Sequence, residues 1–275
     1  RQSDFVSIIT GVRRSGKSTL LKELMKGYDR FRYLNFEDFR LAGFENGDFI
    51  NLEDAFSEVC PDTNVYFFDE IQSAPGWERY VRTLNDSGKT VHITGSNASL
   101  LSKELGTLLT GRHLQYELFP MDFFEYCKLK GVNESVSALD GYLVDGGFPQ
   151  YPKSGMTEYL QQILKDILYR DIVRRHNIRN IAVLEGLTTF LISNIAKEYS
   201  LRNISRILDT DSIHTLSEFV GYLQDAYLFF SVPVFAWSRK RQSVNPRKIY
   251  SIDNGLISAT TLSFTADKGK LLENA

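Results

Sequence analysis

The sequence predicts an α/β protein in which a parallel sheet with flanking helices is followed by further helices and a terminal hairpin. Three short runs with the pattern of strands, at 5–10, 65–68 and 90–94, are each followed by glycine or polar residues, which is typical of buried parallel strands. A helical pattern follows the first run directly. The second half repeats apolar residues every three or four positions before the hairpin.

Length and composition favour a globular chain with more than one domain. The 275 residues are 43% hydrophobic and 24% charged, and the net charge is −2. Because the charge is nearly balanced, any nucleic-acid surface must be a local patch. Cys60 and Cys127 form no metal or redox motif, and no apolar run reaches the roughly 20 residues of a membrane helix. We therefore expect a cytoplasmic protein with no membrane partner. We also expect both ends to be trimmed, because the chain starts at Arg1 without a methionine and stops abruptly at Ala275.

The first predicted strand ends in a glycine-rich loop. Gly11-Val-Arg-Arg-Ser-Gly-Lys-Ser18 matches the P-loop pattern G-x-x-x-x-G-K-[ST] in its strand–loop–helix context. Its glycines let backbone N–H groups turn inward, and the following helix start adds partial positive charge. We expect Lys17 to bridge the β- and γ-phosphates of a nucleotide and Ser18 to hold Mg²⁺. The predicted nucleotide-binding residues are Gly11, Val12, Arg13, Arg14, Ser15, Gly16, Lys17, Ser18 and Thr19.

Two acidic residues follow the second apolar run. Asp69 and Glu70 come directly after Val65–Phe68, at the end of a strand buried on both faces. Parallel sheets place their chemistry at the carboxyl ends of their strands, where the P-loop also lies. Asp69 is therefore a predicted Mg²⁺ ligand, and Glu70 is a predicted base that orients and deprotonates a water. Together these assignments define the first domain, at 1–130, as a P-loop NTPase core.

Two further positions are catalytic candidates. Ser96 and Asn97 follow the third run, and either side chain could contact the γ-phosphate or the attacking water; capping the next helix is an equally good explanation. Arg112 follows a glycine in Leu109-Thr-Gly-Arg112. An arginine finger there would neutralise charge developing on the γ-phosphate, in its own chain or in a neighbouring one.

Together these motifs resemble a known family. It is the bacterial and archaeal ATPase family of the AAA+ superfamily that joins an AAA-like core to a winged helix and a nuclease-like domain of unknown function. The segments that carry the resemblance include the P-loop with its paired arginines, Tyr66-Phe-Phe-Asp-Glu-Ile-Gln72, Ile93-Thr-Gly-Ser-Asn97, Leu109-Thr-Gly-Arg112, Leu118–Tyr126 and Gly146-Gly-Phe-Pro149.

The resemblance implies ATP as the nucleotide, with Mg²⁺ as its metal, and it strengthens the assignment of Arg112. ATP over GTP is also favoured because no Asn-Lys-x-Asp guanine motif is present. The chain departs from the family in lacking the acidic nuclease-like motif. Residues 266–275 resemble only the opening of that last domain, so no nuclease activity is assigned.

The second half is predicted to contain a helical linker or lid at 131–180 and a winged-helix domain at 181–265. A helix is predicted over 157–176, a capping box at Thr215-Leu-Ser-Glu218, and a hairpin over 229–252. The third helix of this module carries no Lys or Arg, which argues against simple major-groove binding. The wing does carry candidate DNA contacts: Arg239, Lys240, Arg241, Arg247 and Lys248.

Two functions stay open at this point. One is Mg²⁺-dependent ATP hydrolysis coupled to switching of the winged-helix and C-terminal domains, with DNA, a protein or further copies of the chain as partners. The other is a slow-turnover switch in which nucleotide gates the binding of DNA or protein. A small-molecule kinase is disfavoured because the adjacent Asp-Glu pair and the winged helix are not features of that class.

Overall fold

A computed structural model describes residues 5–97, 111–210, 212–235, 237, 246–260 and 267–275. The chain forms two compact units. The first comprises Arg1–Gly11 and Gly16–Leu118, and the second comprises Val12–Ser15 and Phe119–Ala275. The predicted linker and the predicted winged helix both lie in the second unit, and the boundary between them stays a prediction.

The first unit contains a five-stranded parallel sheet in the order β2–β3–β4–β1–β5. Its strands are β1 (Val6–Thr10), β2 (Arg32–Asn35), β3 (Val65–Asp69), β4 (Thr90–Gly95) and β5 (His113–Glu117). The three runs predicted as strands form β1, β3 and β4, which are the central strands of this sheet. β2 and β5 are the edge strands. They were not predicted because polar residues interrupt their apolar pattern. Because all strands run the same way, their carboxyl ends meet at one edge.

Among the residues described, three helices cover the two faces of this sheet: α1 (Lys17–Met25), α2 (Asp48–Val59) and α3 (Trp77–Asp86). Side chains alternate between the faces along each strand. On β3, Phe68 packs in one cluster with Trp77 of α3, whereas Phe67 packs in the other with Leu21 of α1. α1 is thereby fixed against the sheet, and the P-loop that precedes it is held at the carboxyl edge.

The second unit is mainly helical. Between the helices at Thr157–Asp166 and Arg174–His176 the backbone stays helical but widens to a π-helix over Ile167–Val173. The predicted 157–176 helix is therefore confirmed in extent but not in its hydrogen-bonding pattern. No helix within the described ranges is long and apolar enough to cross a bilayer. The helices are α4 (Phe123–Lys130), α5 (Val136–Asp145), α6 (Tyr151–Ser154), α7 (Thr157–Asp166), α8 (Arg174–His176), α9 (Ile181–Ser193), α10 (Leu201–Ile207), α11 (Ile213–Asp225), α12 (Asn254–Thr260) and α13 (Lys268–Asn274).

The second unit also contains a small antiparallel sheet in the order β6–β8–β7, with β6 between α9 and α10 and the other two strands after α11. Its strands are β6 (Glu198–Tyr199), β7 (Phe229–Pro233) and β8 (Arg247–Ser251). Helices α9–α11 followed by the β7–β8 hairpin give the element order on which the winged-helix prediction was based, and β6 is an additional strand. The capping box predicted at Thr215 is wrong. α11 starts earlier, and the Ser212 hydroxyl accepts the Thr215 N–H at 3.2 Å.

The turn after α5 depends on a glycine pair and a buried acid. Gly146 has φ 74°, and a Cβ on Gly147 would lie 2.1 Å from the Met121 carbonyl oxygen. The Asp253 carboxylate accepts the N–H groups of Gly147 and Gly255, at 2.5 and 2.8 Å. Burial raises the pKa of Asp253 to about 6, although these hydrogen bonds act in the opposite direction. The sequence analysis did not identify the acid that holds this turn.

Candidate functional site

The P-loop adopts a tightly turned backbone. Gly11 and Gly16 have φ angles of 145° and 107°, which L side chains rarely adopt, and Gly16 is the N-cap of α1. Arg14 has a φ of 137° without being glycine, so this loop position is strained. The Val12 carbonyl accepts the N–H of Arg14 at 2.7 Å and the Ser15 hydroxyl at 3.2 Å. These bonds support the strained turn.

Lys17 and Glu70 face one another in the first unit. Lys17 Nζ lies 3.7 Å from Glu70 Oε1, and the two residues are 4% and 9% exposed. Glu70 follows β3 in the left-handed conformation, with φ 51° and ψ 46°. Its N–H donates to Thr94 Oγ1 on the neighbouring strand at 2.9 Å. The strained backbone and this bond aim the Glu70 side chain at the first turn of α1.

Asp69 is the centre of a cluster of hydroxyl groups. Ser18 Oγ donates to Asp69 Oδ1 at 3.0 Å, and Thr94 Oγ1 donates to the same oxygen at 2.5 Å. Burial and the Asp69 carboxylate, to which Tyr33 hydrogen-bonds, raise the pKa of Tyr33. Sequence reasoning found Ser18 and Asp69 but missed Thr94 and Tyr33. The single Thr94 hydroxyl contacts both Asp69 and Glu70, and so fixes the two acids relative to each other.

The donor atoms at this position fit a magnesium ion. A hydroxyl oxygen and a carboxylate oxygen, from Ser18 and Asp69, are hard ligands of the kind that Mg²⁺ takes together with water and phosphate oxygens. Across the described ranges, no group of three His, Cys, Asp or Glu side chains could hold a metal by itself. Ser18 and Asp69 are the residues that would hold such an ion.

Gln72 is a site residue that the sequence analysis missed. It lies in a short 3₁₀ turn after Glu70, and its Nε2 donates to Glu70 Oε2 at 2.5 Å and to Ser96 Oγ at 3.2 Å. Ser96 and Asn97 are both buried at the end of β4, 1% and 2% exposed. Gln72 Oε1 is buried and has no hydrogen-bond partner among the residues described. The Asp-Glu-Ile-Gln spacing was the signal available in the sequence.

The comparisons with known proteins agree with this geometry. A family model for an AAA domain matches residues 3–127, and a model for a domain of unknown function (DUF8612) matches residues 136–267. An uncharacterized protein of Haemophilus influenzae is 31% identical over 278 residues, which cover 93% of this chain and 69% of that protein. The chain belongs to the AAA+ superfamily of P-loop ATPases. The expectation drawn from the motifs is confirmed at this level.

Two further matches extend the comparison. An uncharacterized protein of Methanocaldococcus jannaschii is 36% identical over 290 residues, covering 98% of this chain and 65% of that protein. The chain thus spans about two thirds of the length of the curated relatives it matches. A Walker-type ATPase of Pyrococcus abyssi shares the AAA+ fold, with a TM-score of 0.59 and 15% identity over 93% of this chain and 90% of that one.

The AAA+ core places Arg112 away from the P-loop. Arg112 directly precedes β5, and its carbonyl accepts the N–H of Val6 at the start of β1. It therefore lies at the amino edge of the sheet, roughly 15 Å from the carboxyl edge for strands of this length. Its guanidinium pairs with Asp86 at 3.1 Å, and the side chain is 61% exposed. The fold does not bring Arg112 to the phosphate site of its own chain.

The remaining predicted residues have mixed surroundings. Arg14 and Thr19 are exposed, whereas Arg13 is buried and pairs with Asp171. In the predicted wing, Arg247 is exposed, but Lys248 Nζ lies 2.7 Å from Glu273 Oε1, so its charge is already paired. Arg239, Lys240 and Arg241 lie outside the described residues.

Proposed function

We propose that this AAA+ protein hydrolyses ATP in a Mg²⁺-dependent reaction. The observation that carries the proposal is the convergence of Lys17, Ser18, Asp69 and Glu70 at one edge of the parallel sheet. A lysine, a metal-type oxygen pair and a buried carboxylate within a few ångströms are the parts that phosphoryl transfer to water requires. The proposal that the nucleotide is ATP, with adenine as its nucleobase, rests on membership of the superfamily.

Each of these side chains has a distinct role in the proposal. Backbone N–H groups of the P-loop and the Lys17 ammonium hold the phosphates, and Ser18 and Asp69 hold the metal. A bound magnesium ion would supply positive charge that neutralises the phosphate oxygens. Thr94 keeps Asp69 oriented through the hydrogen bond described above.

Glu70 is the proposed base. Its carboxylate orients a water and takes its proton as the oxygen of that water bonds to the γ-phosphorus and the bond to the β-phosphate oxygen breaks. Gln72 holds one oxygen of this carboxylate and also contacts Ser96, so both residues support the position of the base. The buried Gln72 Oε1 offers an acceptor for a water hydrogen beside Glu70. Asn97 is proposed to contact the γ-phosphate.

Phosphate release and nucleotide binding, measured on the same variants, test the proposal. We expect magnesium-dependent phosphate release from the unchanged protein. Lys17→Ala should lose both binding and release, and Glu70→Gln should keep binding while losing release. The matched controls are the exposed residues Lys22 and Glu58, as Lys22→Ala and Glu58→Gln, which should behave as the unchanged protein does. Tight nucleotide binding without release would instead favour the slow-turnover switch.

Partners enter as a second part of the proposal. The exposure of Arg112 at the amino edge suits an arginine finger supplied to a neighbouring copy in a homo-oligomer. Phosphate release per chain should then rise with protein concentration, and Arg112→Ala should remove that rise without changing release at high dilution.

DNA contact through the exposed Arg247 is tested by the effect of added DNA on phosphate release and on the salt dependence of that release.

A further inference from the structure

Arg13 of the P-loop pairs with the helical segment formed by α7, the π-helix and α8. Arg13 Nε and Nη2 donate to the two carboxylate oxygens of Asp171, at 2.9 and 2.8 Å. The loop segment Val12–Ser15 and this helical segment belong to the same compact unit.

The Arg13–Asp171 pair is buried on both sides. The two residues are 7% and 4% exposed, and Asp171 lies in a stretch whose other buried members are apolar, including Ile167 and Ile172. A carboxylate in such surroundings is costly unless it is paired and hydrogen-bonded. The forked, two-bond geometry fixes the direction of the guanidinium as well as neutralising the charge. Asp171 and Arg13 therefore hold each other in one defined arrangement.

The position of Asp171 depends on the π-helix. In a π-helix each turn contains an extra residue, which shifts side chains relative to a regular α-helix, and such turns are frequent at functional sites. Asp171 lies within the π stretch Ile167–Val173. Arg13 is the residue before Arg14, whose φ of 137° strains the loop. A strained loop keeps its conformation only if its surroundings hold it, and the ion pair acts directly beside the strained residue.

We propose that Asp171 is a positioning residue for the P-loop: through Arg13, it holds the loop in the conformation that receives the nucleotide phosphates. The inference rests on the proposed function, because it assumes that the loop binds nucleotide. Arg13 then serves as a structural arm of the loop, and the phosphates are held by Lys17 and the backbone N–H groups. By linkage, nucleotide bound in the loop must favour formation of the Arg13–Asp171 pair by the same factor by which the pair raises the affinity for nucleotide.

Nucleotide binding to Asp171→Asn and Arg13→Gln tests this role. We expect either variant to bind MgATP about tenfold more weakly than the unchanged protein, and the double variant to bind no more weakly than the single ones, because both changes break the same contact. Asp166→Asn is the matched control, since Asp166 ends α7 and accepts only from the exposed Gln162 in the contacts described. It should leave the dissociation constant unchanged.

Amide hydrogen exchange supplies a readout that a purely structural role would not move. MgATP should slow exchange at 167–176 in the unchanged protein and in Asp166→Asn, but not in Asp171→Asn. If Asp171→Asn does not fold, Arg13→Lys keeps the charge but loses the two-bond geometry, and should show an intermediate loss of affinity and of nucleotide-dependent protection.

The outcomes separate this inference from the function on which it rests. If the unchanged protein binds no MgATP, the proposed function fails. If it binds MgATP, and a folded Asp171→Asn binds equally well with the same nucleotide-dependent protection, only the positioning role is overturned. Tighter binding by Asp171→Asn would also overturn it, because that result would mean that a released Arg13 contacts phosphate.

Discussion

His92 makes the stability of the AAA+ core depend on pH. It lies on β4, is 8% exposed, and its ring stacks on Phe67 with centroids 4.7 Å apart. Its Nε2 hydrogen-bonds with the Tyr28 hydroxyl at 3.2 Å, while Nδ1 is buried and has no partner among the residues described. Burial lowers the pKa of His92 from 6.5 to about 4. The folded protein therefore holds this imidazole neutral in acid where the unfolded chain protonates it.

The size of the effect follows from the difference between the two pKa values. Lowering the pKa of His92 from 6.5 to about 4 corresponds to roughly 3 kcal/mol of unfolding free energy, at about 1.36 kcal/mol for each pKa unit. Because the folded pKa is the lower one, the unfolded state binds more protons below pH 6.5. The stability is therefore fully present above that value and is lost as the pH falls toward 4.

Urea unfolding at several pH values measures this loss. Between about pH 7 and about pH 4.5, His92 should account for about 2 kcal/mol of the fall in unfolding free energy. His92→Gln should start less stable but lose about that much less over the same interval. His214→Gln is the control, since the His214 side chain is 85% exposed, and it should follow the unchanged protein. An equally steep loss in His92→Gln would show that the buried imidazole does not titrate as argued.

Two further predictions concern the site and the second unit. Thr94→Val should weaken magnesium-dependent nucleotide binding in a titration and lower the unfolding free energy by roughly 2 kcal/mol, because it leaves the Glu70 N–H unpaired. Thr94→Ser keeps the hydroxyl, so its nucleotide affinity and its unfolding free energy should stay close to those of the unchanged protein. Gly147→Ala should lower the melting temperature because its Cβ would clash with the Met121 carbonyl. Gly47→Ala is the control: Gly47 has open space around it and a φ of −68°, so this variant should melt at the temperature of the unchanged protein. Equal melting temperatures for the two variants would contradict the clash.

The core of the site was predictable because its signals are local. A continuous apolar run that ends in Asp69-Glu70 is typical of a buried parallel strand with acids at its carboxyl end, and the P-loop has fixed residues in a fixed context. Thr94 was not predictable in the same way. Its contact with Asp69 depends on the register of β3 beside β4, in which Phe68 lies opposite Ile93, and only the folded sheet sets that register.

Contacts between residues far apart in the chain could not be predicted from the sequence. Asp171 is 158 residues from Arg13, and the apolar spacing through 160–172 continues without a break where the π-helix begins. Arg112 was assigned from a pattern, whereas the fold shows that it precedes its strand and so lies at the far edge of the sheet. A sequence pattern identifies such a residue but not the end of the strand at which its side chain lies.

Equilibrium titration of the unchanged protein with ATP, in the presence and absence of magnesium, tests the central claim most directly. The account predicts saturation at one nucleotide per chain, weakening when magnesium is removed and loss of binding in Lys17→Ala but not in Lys22→Ala. Absence of saturable binding with magnesium present, or equal affinity in Lys17→Ala, would contradict it.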